Sequence, residues 1–179
     1  MARGGEPPDL LRTERALLRL ARLRTELIAS VRKAPDPPAP GPGAPWTPVQ
    51  ILQHLMLAEE VALGQMRRGL AEDRRRPTLR HRVGRVAVKV VFHLRLRVRT
   101  PISTVVPEPP LELAEVERRW EAAGRGIEVF LRERARSAPG DPVFRHPIAG
   151  PLGPAAAVEL LLTHVRHHAA QVRERLPAG

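Results

Sequence analysis

WTPVQILQHLMLAEEVALGQM, residues 46–66, starts a helix in a way that leaves little freedom over where it begins and which face turns inward. Thr47, Pro48, Val49 and Gln50 fit the N-cap, N1, N2 and N3 positions of a capping box. The Thr47 hydroxyl can accept from the N3 amide, and Gln50 can reach back to the N-cap. Pro48 occupies the one turn in which its missing N–H is harmless. Trp46 falls opposite Ile51, as in a hydrophobic staple. Beyond the cap, Ile51, Leu55, Ala58, Ala62 and Met66 form one stripe. His54 lies on the edge of that stripe, about 60° from Ile51 by helical geometry.

Outward from this helix, three more segments repeat at helical spacing. The first runs from about Asp9 to Lys33, with Leu10, Leu17, Leu20, Ala21, Leu27, Ile28 and Val31 on a broad apolar face. The run APDPPAPGPGAP, residues 34–45, then forms an extended connector, because its prolines and glycines cannot continue a helix. A third helix is predicted after PEPP, near Leu111, through Leu113, Val116, Trp120, Ala123, Ile127 and Phe130, with Gly124 and Gly126 as local weaknesses. After the loop SAPGDPVFRHPIAGPLG, a fourth runs from about Pro154 to Leu176, with Ala157, Leu161, Val165 and Val172 on one face. Glu159, Thr163, Arg166 and Glu174 lie opposite. Four apolar stripes and no convincing sheet predict an all-α four-helix bundle, read as one domain over residues 1–179.

The stretch Val86–Val98 fits two periods. Its even positions are all apolar, as in a strand, yet Val83, Val86, Ala87, Val90, Val91, Leu94 and Val98 also fit a helix. A strand of this length needs a partner, and no other segment offers one. The expectation is an additional Arg-rich helical segment between the second and third main helices.

Charge is concentrated in the same region. The net charge is +11, and Arg74 to Pro107 holds nine arginines and one lysine with no acid. Apart from Lys33 and Lys89, every basic residue is arginine, as a GC-rich codon bias would produce, so part of the basicity is composition. The Arg74 to Arg99 segment reads as a solvated face, an anionic membrane-surface helix or a nucleic-acid patch. With no Tyr and five Phe or Trp, most at core-like positions, the chain has few platforms for stacking single-stranded nucleic acid. There is no cysteine, which excludes disulfides and thiolate metal sites. No window reaches the apolar length of a transmembrane segment, and the first residues lack a signal-peptide core, so a cytoplasmic location is expected.

The chemistry rests on histidine. His164 and His168, four apart on the inward face of the last helix, can grip one ion from one element. His54, from another inward face, would complete an open three-histidine metal site. Three uncompensated imidazoles in a core would otherwise carry a desolvation cost with little to offset it. His167 points about 100° from His168 and is expected at the surface or behind the ligands. Gln50 and Gln171 are each spaced to orient an imidazole, although helix-end polarity explains them as well. His146 is expected to order its loop, and His81 and His93 to be solvated. Glu59, the acid nearest His54, sits about 140° around the helix, and no general base can be named.

The residues PWTPVQILQHLMLAEE, HPIAGPL and THVRHHAAQV together resemble the DinB-like (DinB/YfiT) superfamily of metal-binding four-helix bundles, unrelated to the translesion polymerase of the same name. The resemblance covers roughly Trp46 to Glu60 and His146 to Val172; the Arg-rich middle matches only in character. Its ligand positions fall on His54, His164 and His168, with Gln171 matching the family's trailing glutamine. The resemblance implies a divalent metal ion, zinc or nickel, and in characterised members a low-molecular-weight thiol such as bacillithiol, mycothiol or glutathione. It implies a metal-dependent enzyme acting on a small-molecule substrate, of the thiol S-transferase or hydrolase type. The alternatives are a non-catalytic metal-binding stress or ligand-binding module, and an anionic-surface binder. A homodimer is compatible with any of these.

Overall fold

The computed structural model describes residues 8–34, 45–69, 84, 103–146 and 148–176. Four helices make up most of it: α1 (Pro8–Lys33), α2 (Pro48–Arg68), α3 (Leu113–Ser137) and α4 (Pro154–Arg175). A short 3-10 turn, Ser103–Val105, precedes α3. The expected connector falls at 35–44, outside the described residues, as do the helical reading of Val86–Val98 and most of the Arg-rich segment.

The fold is an all-α four-helix bundle. α1 packs most broadly on α4 and α2 on α3, while α1 with α3 and α2 with α4 complete the ring. Helices consecutive in sequence, α1 with α2 and α3 with α4, therefore lie on diagonals. α2 and α4, the two that carry the candidate ligands, are neighbours.

Local sequence explains the boundaries. At α2 both halves of the capping box form: Gln50 N donates to Thr47 Oγ1 at 3.2 Å, and Thr47 N donates to Gln50 Oε1 at 2.9 Å. A cap of this kind contributes about 1 kcal/mol. α3 begins at Leu113 rather than Leu111, and the Leu111 amide just before it donates to the Gln53 side chain. α4 opens on Pro154 at its first position, after Gly153.

Burial follows most of the stripes, although Ala21, Ala58, Leu113 and Phe130 are only half-buried, and α2 is buried more widely than its stripe. On α1, Leu10, Leu17, Leu20, Leu27, Ile28 and Val31 are buried as expected, joined by Ala16 and Thr13. The Thr13 hydroxyl donates to the Asp9 carbonyl at 2.7 Å, which allows a polar group there. After its first turn α2 is buried all round from Ile51 through Met56, rather than on one stripe. A helix buried all round lies inside its bundle.

The loop before α4 is more ordered than its composition suggests. Phe144–His146 and Gly150–Leu152 form β1 and β2, an antiparallel pair with Phe144 opposite Leu152 and His146 opposite Gly150. This small hairpin corrects the reading of a bare loop. Gly84 is buried against its tip, where an added Cβ would stand 2.2 Å from the Ile148 carbonyl oxygen. Only glycine allows that approach.

Candidate metal centre

His54 sits in the all-round buried part of α2 and is 3% exposed. Its Nδ1 lies 2.7 Å from the carbonyl oxygen of Val105, in the 3-10 turn. A carbonyl can only accept, so Nδ1 carries the proton and Nε2 of the neutral ring keeps a lone pair. The Trp46 indole covers this ring, with centroids 5.0 Å apart and planes tilted by 38°. Burial holds the His54 pKa below its usual value, against the opposing bond to Val105.

His164 and His168 reach the same point from α4. His164 Nε2 lies 3.3 Å from His54 Nε2. His168 Nδ1 is 3.0 Å from Gln171 Oε1, so the amide oxygen takes its proton and Nε2 is again the free nitrogen. One ligand nitrogen from each of the three rings lies within 4.8 Å of the other two. The pKa of His168 is pushed down to about 3, chiefly by burial and then by His54. That of His164 is held well below the usual value, by burial and the neighbouring imidazoles. All three rings are therefore neutral near pH 7, the state in which imidazole binds metal.

The donor set fits a divalent cation. Tetrahedral coordination with metal–nitrogen bonds of about 2.0–2.1 Å separates the nitrogens by about 3.4 Å. The His54–His164 pair already has that spacing, and a ligand nitrogen of His168 lies within 4.8 Å of both. Fixing the tautomer from outside, by a backbone carbonyl at one ligand and an amide at another, is the usual support of a metal-binding histidine.

A family model described as the DinB superfamily matches residues 9–172. The chain belongs to the DinB superfamily. No curated protein matches it, and no solved structure does. The match spans all four helices, so family membership and bundle agree.

Within this DinB superfamily bundle, the structure sorts the supporting residues differently from their spacing. Gln171 stands behind His168, its Oε1 3.0 Å from Nδ1. His167 is buried rather than at the surface: its Nε2 lies 3.4 Å from Gln171 Nε2, so it accepts from the amide whose oxygen holds His168. The Gln50 carbonyl is engaged by the Thr47 amide, which makes it a helix cap rather than an imidazole partner. His146 does order its loop. Its Nδ1 accepts from the amides of Ile148 and Ala149 at 3.2 and 3.1 Å.

Two supporting residues escaped the sequence reading. Val105 is one. The other is Gln53, 2% exposed, which donates from Nε2 to the Pro109 carbonyl at 2.8 Å and accepts from the Leu111 amide at 2.9 Å. Gln53 and His54 thus hold the 105–111 strand of chain at two points, and the first hold fixes where the Val105 carbonyl meets the second. Gln53→Leu should weaken zinc affinity by about 10–100-fold, the usual effect of loosening an imidazole's outer partner. Competition against a chromogenic chelator measures it. Unchanged affinity in the folded variant would show that Val105 keeps its place without the clamp.

Glu59 belongs elsewhere. It is 1% exposed and faces Arg24 of α1, with Arg24 Nε 3.1 Å from Oε1 and Nη2 2.7 Å from Oε2.

Proposed function

We propose that the chain is a metal-dependent enzyme that activates a low-molecular-weight thiol or water, of the thiol S-transferase or hydrolase type, acting on a small electrophile. The observation that supports this is the charge of the donor set. His54, His164 and His168 are all neutral donors, and no acidic side chain shares their cluster among the described residues. A divalent ion held there would keep its full charge and supply Lewis-acid stabilisation to an anion formed beside it.

The protein's own groups would do the rest. The Val105 carbonyl and the Gln171 amide keep the His54 and His168 lone pairs turned toward the ion. Trp46 shields one side of His54 from water. Glu59 is committed to Arg24, so it is not available as a base at the centre. The chain has no cysteine, so a thiol nucleophile would have to come from a second substrate.

The test begins with elemental analysis, which should find about one divalent ion per chain, zinc or nickel. The loaded protein should then accelerate addition of bacillithiol, mycothiol or glutathione to an electrophile, or hydrolysis of an activated ester or amide. His54→Ala should abolish that rate, and Val129→Ser, at a 66%-exposed position on α3, should not. Circular dichroism run in parallel separates lost ligation from lost folding. A folded, metal-loaded protein inert across the panel would favour the rival reading of a metal-binding module without turnover. Activity that survives complete metal removal would end the mechanism.

A further inference from the structure

His167 is 9% exposed, yet the function proposed above gives it no part. It stands one residue before His168 and four before Gln171. On a helix, Gln171 is then within reach of both rings, at i+3 from one and i+4 from the other. It does touch both. Gln171 Oε1 lies 3.0 Å from His168 Nδ1, and Gln171 Nε2 lies 3.4 Å from His167 Nε2. The His167 and His168 rings meet edge to face, with centroids 4.9 Å apart and planes at 83°.

A glutamine amide has two ends of nearly the same shape and opposite hydrogen-bonding character, an oxygen that accepts and an NH2 group that donates. Which end faces His168 decides where that ring keeps its proton. With the oxygen toward Nδ1, the proton is on Nδ1 and Nε2 offers its lone pair to the cluster. Turned round, the amide would donate to Nδ1, and the neutral ring would carry its proton on Nε2, where a metal ion needs the lone pair. His168 alone does not choose, since each orientation makes one hydrogen bond with one tautomer. His167 does. Its Nε2 lone pair accepts from the amide in the observed orientation and would face the amide oxygen in the other, two acceptors with no proton between them. The 3.4 Å bond is long, but the choice depends on the contrast between attraction and repulsion rather than on its strength alone.

We infer that His167 is a positioning residue for the metal centre: it fixes the orientation of the Gln171 amide, and through it the nitrogen that His168 presents to the ion. The inference rests on the three-histidine reading of the centre and not on turnover.

Nitrogen NMR spectra of the isotope-labelled, metal-free chain tell a protonated ring nitrogen from one with a lone pair. At about pH 8 ordinary histidines are neutral. In the parent, His168 should then carry its proton on Nδ1, and His167 should have its lone pair on Nε2. His167→Phe keeps a ring and removes the acceptor, so the two His168 nitrogens should shift toward each other as both tautomers become populated. Zinc affinity, measured by chelator competition, should fall about 2–10-fold, the reciprocal of a ligating fraction between about a half and a tenth. Adding Gln171→Glu should restore the Nδ1 tautomer at His168, because both oxygens of a carboxylate accept and it has no wrong way round. A defect of packing would not be restored in this way. His167→Ala should give the same His168 signature, and it keeps the test in force if the phenyl ring is not accommodated. The inference is overturned if His168 of the parent carries its proton on Nε2, if removing the His167 acceptor leaves that tautomer unchanged, or if Gln171→Glu fails to restore it. The spectra are taken before any metal is added, so a parent that shows the expected tautomers and yet binds no zinc ends the metal reading and supports this one.

Discussion

Glu59→Ala should cost the fold about 3–5 kcal/mol, the usual cost of removing one member of a buried ion pair and leaving the other charge uncompensated. Glu59 is 1% exposed at its side chain and Arg24 11%, so water cannot replace the lost carboxylate. Burial pushes the Glu59 pKa up, and the Arg24 guanidinium pulls it back. The Nη2–Oε2 contact, although 2.7 Å long, is not aligned as a hydrogen bond, and the Trp120 indole nitrogen is also buried without an aligned partner. Space for the guanidinium is made by Gly124, where an added Cβ would lie 2.5 Å from Arg24 Nη1. Urea denaturation measures the loss. Arg22→Ala, which breaks an exposed pair on the same helix, should cost less than about 1 kcal/mol in the same assay. The paired replacement Glu59→Leu with Arg24→Met should recover much of the loss, because both charges go together. A Glu59→Ala variant as stable as the parent would mean that water reaches Arg24.

The contrast between Glu59 and Thr47 shows what could be read in advance. The capping box is complete within four residues, so its letters carry its geometry. His164 and His168 share a helix face by spacing alone, and their meeting with His54 followed once the helices were taken to form a bundle. The partners of Glu59 and Gln53 lie 35 and 56–58 residues away in the chain, and no local period points to them. Gln53 looks like an ordinary polar residue beside an apolar stripe until the helix proves to be buried all round. Gly124 and Gly126 read as weak points in α3, whereas the structure shows them as close approaches, Gly124 to Arg24 and Gly126 to Leu63, whose Cδ2 would lie 2.6 Å from an added Cβ. The hairpin was invisible for another reason. Strands of three residues are too short to establish an alternating pattern.

Acidification should unfold the metal-free protein well above the pH at which carboxylates titrate. His54, His164 and His168 all have folded pKa values below the ordinary histidine value, His168 at about 3. The unfolded chain takes up their protons near pH 6.5. Between that pH and the folded values the unfolded state binds more protons, so stability falls as pH falls. The full stability is present above about pH 6.5, and each histidine costs up to about 1.4 kcal/mol per pH unit below it. The contributions add wherever more than one of the folded values lies below the ambient pH, so the combined slope exceeds that of a single histidine. His146 adds to the same slope, since burial lowers its pKa too. Denaturant melts of chelator-treated protein between pH 7 and 5 isolate these groups from the carboxylates, and His168→Gln should flatten the slope by about one proton. In the loaded protein, protons and the ion compete for the same lone pairs, so the fall in stability should coincide with metal release. A flat profile from pH 7 to 5 would mean that the rings take up protons without unfolding, and the centre would then be too open to hold three neutral donors around an ion.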